Sequence, residues 1–301
     1  MKTSTIKVSF ASDNFWAAIN EFLLYAHKIQ TEAPEKVIFD LSGCTFLVPH
    51  IIGGIIALAK SLKEKGCQIE YIPPPDITYI ETIHFPGGED FTGFTPEAIN
   101  ENLMKFYSKT YLPIISFPAK NAEASVRERV MSAVSSILKN QLRLDGNILQ
   151  AIFYLIDELT QNVVDHSGAS HGTIFAQYFP AKHYMDLCIS DCGKGIYKAY
   201  LDSGKHSPVD NTEALGFAVK GKSVKDLPDS RGFGLSTSRK MLVHGLKGMF
   251  FILSGDSFFI ELPDEPEKLL QLKDLYYQGC YIALRIPLKN DGNFDLYKFV
   301  E

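Results

Sequence analysis

Asp157-Glu158-Leu159-Thr160-Gln161-Asn162-Val163-Val164-Asp165-His166 closes a helical pattern that begins near residue 147. Glu158, Asn162 and His166 recur every four residues and so share one helix face, while Leu155, Leu159 and Val163 fall on another stripe suited to a core. An amide and a carboxylate one turn apart can divide a task. A neutral Asn oxygen can ligate Mg²⁺ without cancelling its charge, and a Glu can orient or deprotonate a nucleophile beside a terminal phosphate. A solvated polar face ending in a His near the negative helix end is the plain alternative.

Outward from this helix, residues 114–117 read as a strand and residues 122–140 as a preceding helix. Downstream come strands at 172–179 and 184–190, a Gly- and Lys-rich loop, a helix at about 234–243, and strands at about 249–253, 258–262 and 280–287. Helices grouped early and strands grouped late predict an α+β sandwich.

Two further runs in this half carry chemistry. Asp191-Cys192-Gly193-Lys194-Gly195-Ile196 puts a carboxylate at a strand end, where it can accept a hydrogen bond from an exocyclic amine such as adenine's. Its spaced glycines let backbone approach a flat ring, although Asp-x-Gly is also an ordinary turn. Ser230-Arg231-Gly232-Phe233-Gly234-Leu235-Ser236 leads into a helix whose unpaired N–H groups and dipole suit an anion, with Arg231 as a fixed positive charge. Between these runs, Lys205, Lys220, Lys222 and Lys225 load the stretch 197–230, which reads as a loop long enough to be a functional lid or a disordered segment.

The order of these runs resembles the GHKL (Bergerat) ATP-binding fold shared by histidine kinases, DNA gyrase and anti-sigma-factor serine kinases, over residues 112–290. It is most similar to the anti-sigma-factor kinases, through Phe117-Pro118-Ala119, a helix carrying Val126-Arg127, and Glu158-Leu-Thr-Gln-Asn162. The resemblance implies ATP and Mg²⁺ as ligands, Asn162 as the metal ligand, Glu158 as general base and Asp191 as reader of the adenine amine. Gly193, Gly195 and Ile196 would border the purine, and Gly232, Gly234, Leu235 and Arg231 would hold the phosphates. It also places His166 and Cys280 around the nucleotide. Two departures stand out: Gly279-Cys280 replaces the Gly-Thr or Gly-Ser usual on a late strand, and residues 257–278 are extra.

The first half reads as a small α/β unit. Lys36-Val-Ile-Phe-Asp40 and Gln68-Ile-Glu-Tyr-Ile72 are strands; a helix at 55–65, stopped by Gly66, joins them, so the strands should be parallel. An amphipathic helix precedes them at 14–27, and a further helix is expected at 96–106. Val37 to Leu47, followed by the helix and Gly66, resembles a STAS domain, the fold of anti-sigma-factor antagonists. Such domains often carry a phosphorylatable Ser at the helix start; this chain has Val48-Pro49-His50-Ile51 there. The expected division is 1–111, STAS-like, and 112–301, GHKL-like.

Bulk properties agree with a reduced, globular, cytoplasmic protein. The 301 residues are 46% hydrophobic and 22% charged, and the formal charge of -5 gives no reason to expect direct nucleic-acid or anionic-membrane binding. The longest apolar stretch, 46–59, is too short to span a bilayer, and five irregularly spaced cysteines suggest neither a disulfide framework nor a zinc site. The functional expectation is an ATP-dependent serine/threonine protein kinase acting on a regulatory partner, such as a STAS-domain protein or a sigma factor. A nucleotide-gated binding protein is the second reading, and an ATPase whose hydrolysis opens a homodimer is the third.

Overall fold

A computed structural model describes residues 1–8, 14–44, 47–91, 93–144, 146–222, 234–289 and 294–300. It is an α+β structure in four layers. The N-terminal part runs β1 (Thr3–Lys7), α1 (Phe15–Glu32), β2 (Lys36–Asp40), α2 (Pro49–Glu64), β3 (Gln68–Ile72) and a short α3 (Thr78–Thr82). Its three strands form a parallel sheet in the order β1-β2-β3, and Val37 lies opposite both Ser4 and Ile69. Right-handed crossovers place α1 and α2 on the same face of such a sheet. The expected parallel pairing of β2 with β3 is present, at the expected residues.

The remainder runs β4 (Glu89–Asp90), α4 (Pro96–Met104), β5 (Tyr111–Pro118), α5 (Ala124–Leu142), α6 (Asn147–Asn162), β6 (His171–Phe179) and β7 (Tyr184–Asp191). It continues with α7 (Gly195–Ser203), α8 (Asn211–Val219), α9 (Gly234–Lys240), β8 (Met249–Gly255), β9 (Ser257–Glu261), β10 (Lys268–Gln271), β11 (Tyr277–Pro287) and α10 (Tyr297–Val300). Eight strands form one sheet in the order β10-β9-β8-β11-β7-β6-β5-β4, antiparallel except for the β4–β5 pair. Residues 89–106 build this second sheet and its core: Phe91, Ile99, Leu103 and Phe106 pack with α5, so the expected boundary at 111 does not separate the two cores.

Strand alternation assigns each face of the large sheet to its own core. Ile174, Ala176, Leu187, Ile189, Ile252 and Leu284 face α5, α6 and α9. Phe175, Cys188, Phe251, Leu253, Tyr281 and Ala283 face α1 and α2 and join the N-terminal residues in one continuous core. The helix α2 is thus enclosed between two sheets, and from Pro49 to Leu62 every residue except Lys60 is buried.

That enclosure corrects the sequence reading of this helix, which starts six residues earlier than expected. Gly53 and Gly54 lie inside the helix because two neighbours leave no room for a side chain. A Cβ on Gly53 would sit 2.7 Å from Cys188 Cβ, and one on Gly54 would sit 2.5 Å from the Phe22 ring. Beyond the helix, Gly66 has φ +83°, the left-handed conformation that suits a glycine stop.

Candidate functional site

The helix α6 follows its pattern: Leu155 and Leu159 are fully buried, Val163 nearly so, and Glu158 and Asn162 are half-buried on the other side. At Asn162 the α-helix ends and residues Val163–Ser167 continue as a π-turn. Its i→i+5 bonding interrupts the four-residue repeat, so helix geometry no longer carries His166 onto the line of Glu158 and Asn162. His166 is half-buried within that turn.

Ser167, at the end of the turn, meets the Asp191 run. The Lys194 amide donates to the Ser167 carbonyl at 2.8 Å, and a Cβ on Gly193 would collide with the same carbonyl. Asp191 is 5% exposed, and its Oδ1 accepts from the Gly193 amide at 2.8 Å. Burial pushes its carboxyl up to about 7, outweighing the backbone hydrogen bonds from Gly193 and Cys280 that favour the charged form. Gly195, at φ +76°, opens α7, and the Ile196 amide donates to Ser254 Oγ at 3.0 Å.

Three residues that the sequence reading passed over hold this turn. Ser254 Oγ also donates to the Gly279 carbonyl at 2.8 Å, Tyr277 Oη donates to the Asp191 carbonyl at 3.2 Å, and Gln278 Nε2 donates to the Gly193 carbonyl. They come from β8 and β11, far along the chain, so no local spacing signals them. Gly279, at φ +91°, lies so close that a Cβ would collide with the Asp191 carbonyl. Cys280 stands directly opposite Asp191 in the β11–β7 register and is half-buried, its thiol raised well above the ordinary value by burial and then by the Asp191 charge.

The third run enters at α9. Gly234 begins this helix beside Glu158: a Cβ on Gly234 would collide with Glu158 Oε2. Two runs well separated in sequence are thereby brought into contact. Leu235 is half-buried against the core, whereas Arg231 and Gly232 lie outside the described residues. The helix is anchored by Arg239, whose Nη1 reaches Glu261 Oε2 at 2.6 Å and Glu267 Oε2 at 3.0 Å while its guanidinium lies over Phe259. The extra stretch 257–278 therefore adds β9 and β10 to the sheet and braces α9.

The stretch expected as a long loop is mostly helical. It contains most of α7 and all of α8, and α8 packs against α9, β9 and β10. Asp210 caps α8, accepting at Oδ1 from the Glu213 amide at 2.8 Å, while Glu213 Oε2 accepts from the Val209 amide at 2.8 Å. Residues 223–233, including Lys225, lie outside the described residues.

A second polar cluster sits between the two halves. His50 Nε2 is 3.2 Å from Asp186 Oδ1, its Nδ1 is 3.5 Å from Cys188 Sγ, and Arg285 holds Asp186 at 2.7 and 2.8 Å. The order Cys–His–Asp is that of a nucleophilic triad, but His50 and Asp186 are both 0% exposed and burial raises the Cys188 thiol. This is a buried electrostatic lock. His50, at the start of α2, faces inward.

Among the described residues no group of three or more His, Cys, Asp or Glu side chains could hold a metal ion, and no helix is long and apolar enough to cross a membrane. Compared with protein-family models, curated proteins and solved structures, the chain matches none of them.

Proposed function

We propose that the large sheet and its helices form an ATP-binding module of the GHKL type, and that the protein is a serine/threonine kinase acting on a regulatory partner protein. The observation carrying this reading is convergence: Glu158 lies against Gly234, and Ser167, five residues beyond Asn162, lies against Gly193 and Lys194. An amide-bearing helix end, a buried carboxylate turn and a glycine-opened helix thus surround one region between sheet and helices.

The residues present fit a nucleotide. Asp191 offers a buried carboxylate for the adenine amine. Gly234 and Leu235 offer backbone N–H groups to phosphate at the start of α9, which continues as a π-turn through Gly245. Asn162 would hold Mg²⁺ together with phosphate oxygens, a ligand set that needs no protein cluster. The bound metal would neutralise phosphate charge. Glu158 takes a proton from the acceptor hydroxyl, a role for which a pure binding site has no use. No Ser stands at the start of α2 and His50 is buried there, which argues against the N-terminal part, STAS-like in its order of elements, being the kinase's own substrate.

The test is incubation with γ-labelled Mg-ATP alone and with candidate STAS-domain or sigma-factor partners, followed by separation of labelled protein from free phosphate. Label on a partner Ser or Thr supports the kinase. Free phosphate alone supports an ATPase, and binding without either product supports a nucleotide-gated regulator. A nucleotide-free sample with no thermal shift in millimolar Mg-ATP would refute the module itself.

A further inference from the structure

In the buried stretch of α2, Lys60 is the one residue that is not apolar, small or buried. It belongs to a helix face, Gly53, Ala57 and Lys60, that runs along β7 on the side opposite Asp191. Gly53 packs on Cys188, and the Ala57 carbonyl lies 3.9 Å from Cys192 Sγ. At its end, Lys60 Nζ donates to Thr173 Oγ1 at 2.6 Å. Thr173 pairs with Ser190, and its neighbour Gly172 pairs with Asp191. The ammonium is therefore seated beneath the strand ends that present the Asp191 turn.

We propose that Lys60 is a positioning residue for the nucleotide site, pinning the Asp191–Gly193 turn from behind, so that the N-terminal part sets how well the second part binds the base. The inference rests on the nucleotide reading above and adds regulation to it. On the far side the turn is held by Ser167 and Gln278, while Tyr277, in the core on the α2 side, donates to the Asp191 carbonyl. Lys60 adds a hold on β6 from the α2 side, and without it the strand ends behind Asp191 and Gly193 lose one support. Burial lowers the lysine's proton affinity, while Asp90 and Glu64 nearby favour its charge and Lys63 opposes it.

The experiment compares Lys60→Met, which keeps the stem and removes the ammonium, with Lys60→Arg and Thr173→Val. Two measurements are made: Kd for ATP, ADP and AMP, and the rate of maleimide labelling at Cys192 in nucleotide-free protein, followed by peptide mass spectrometry. Because the base end is affected, Lys60→Met should weaken all three nucleotides by a similar factor, on the order of tenfold. Lys60→Arg should restore affinity, and Thr173→Val should behave like Lys60→Met. Cys192 should label faster in Lys60→Met, since its turn is less firmly held. Unchanged affinity in Lys60→Met, a loss confined to ATP, or no rescue by Arg would overturn the proposal. A wild-type chain that binds no nucleotide would overturn the nucleotide reading on its own; unchanged Cys192 labelling would then overturn the pinning as well.

Discussion

Asp191→Asn should make the nucleotide-free protein more stable and the nucleotide-binding protein worse. In the fold, burial raises the Asp191 carboxyl from 3.8 to about 7, so the folded chain holds a proton that the unfolded chain has released. Its contribution to stability is complete below the unfolded value and is lost as pH rises towards the folded one. Roughly three pKa units at about 1.4 kcal/mol each set a ceiling of about 4 kcal/mol on that loss above pH 7. With an unfolding entropy of about 2.1 cal/mol/K per residue, a chain this long would convert that ceiling to about 6 °C in Tm. Asparagine keeps an acceptor oxygen for the Gly193 amide and carries no charge to bury. Thermal melts of both proteins from pH 4 to 8.5 should therefore coincide near pH 4 and diverge by several degrees above pH 7, the variant melting higher. Adenosine, which has no phosphate to titrate, should bind wild type about tenfold more weakly at pH 6 than at pH 8, because the carboxyl must first lose its proton. Asp191→Asn should lose most adenosine affinity at both pH values. A variant less stable than wild type at pH 8, or one that binds adenosine normally, would refute the assignment of Asp191.

Gly234→Ala should leave the unfolding free energy within about 1 kcal/mol of wild type, because the added methyl meets only the flexible end of Glu158, yet it should weaken Mg-ATP at least about tenfold by displacing that carboxylate into the phosphate region. Calorimetric titration with an unchanged Kd would contradict it. Glu158→Ala should bind Mg-ATP nearly normally while turnover falls by about 10²–10⁴-fold, and Asn162→Ala should lose Mg-dependent binding as well as turnover. Full turnover in Glu158→Ala would remove it as the base. Asp186→Ala removes the buried carboxylate that both Arg285 and His50 face, which should lower unfolding free energy by about 3–5 kcal/mol in urea, whereas Asp186→Leu combined with Arg285→Met should recover much of that loss.

Elements whose signal is local were legible in the sequence. The strands β2 and β3 appear at their expected residues because alternation and a glycine stop are written into the chain, and α6 is marked by a continuous apolar stripe. The start of α2 was not legible. Two glycines argue against a helix by propensity, and only the approach of Cys188 and Phe22 explains them. The helices α7 and α8 were hidden by lysine and glycine in their surroundings, although Asp210-Asn-Thr-Glu213 does carry a capping signature. Within the site, each run was visible by itself. Their convergence was not, nor were Ser254, Tyr277 and Gln278, which act across strands remote in the chain. The end of the four-residue repeat at Asn162 was also hidden, because a π-turn leaves no mark in spacing.

Because α2 is enclosed by both sheets, the chain cannot be divided where its two sequence patterns meet. Residues 112–301 alone would offer Phe175, Phe251, Leu253 and Tyr281 to water, an apolar expanse of the kind that aggregates. A free regulatory subunit trades among partners according to concentration. Here the equivalent surface is occupied by a covalently tethered neighbour, whose effective concentration lies in the millimolar range or above for a short linkage. A diffusing competitor of micromolar affinity would seldom displace it. Any partner that the proposed kinase reading requires would therefore have to dock elsewhere on the molecule than on this buried face, and among the described residues the outer face of the small sheet carries Lys7, Lys36 and Glu70.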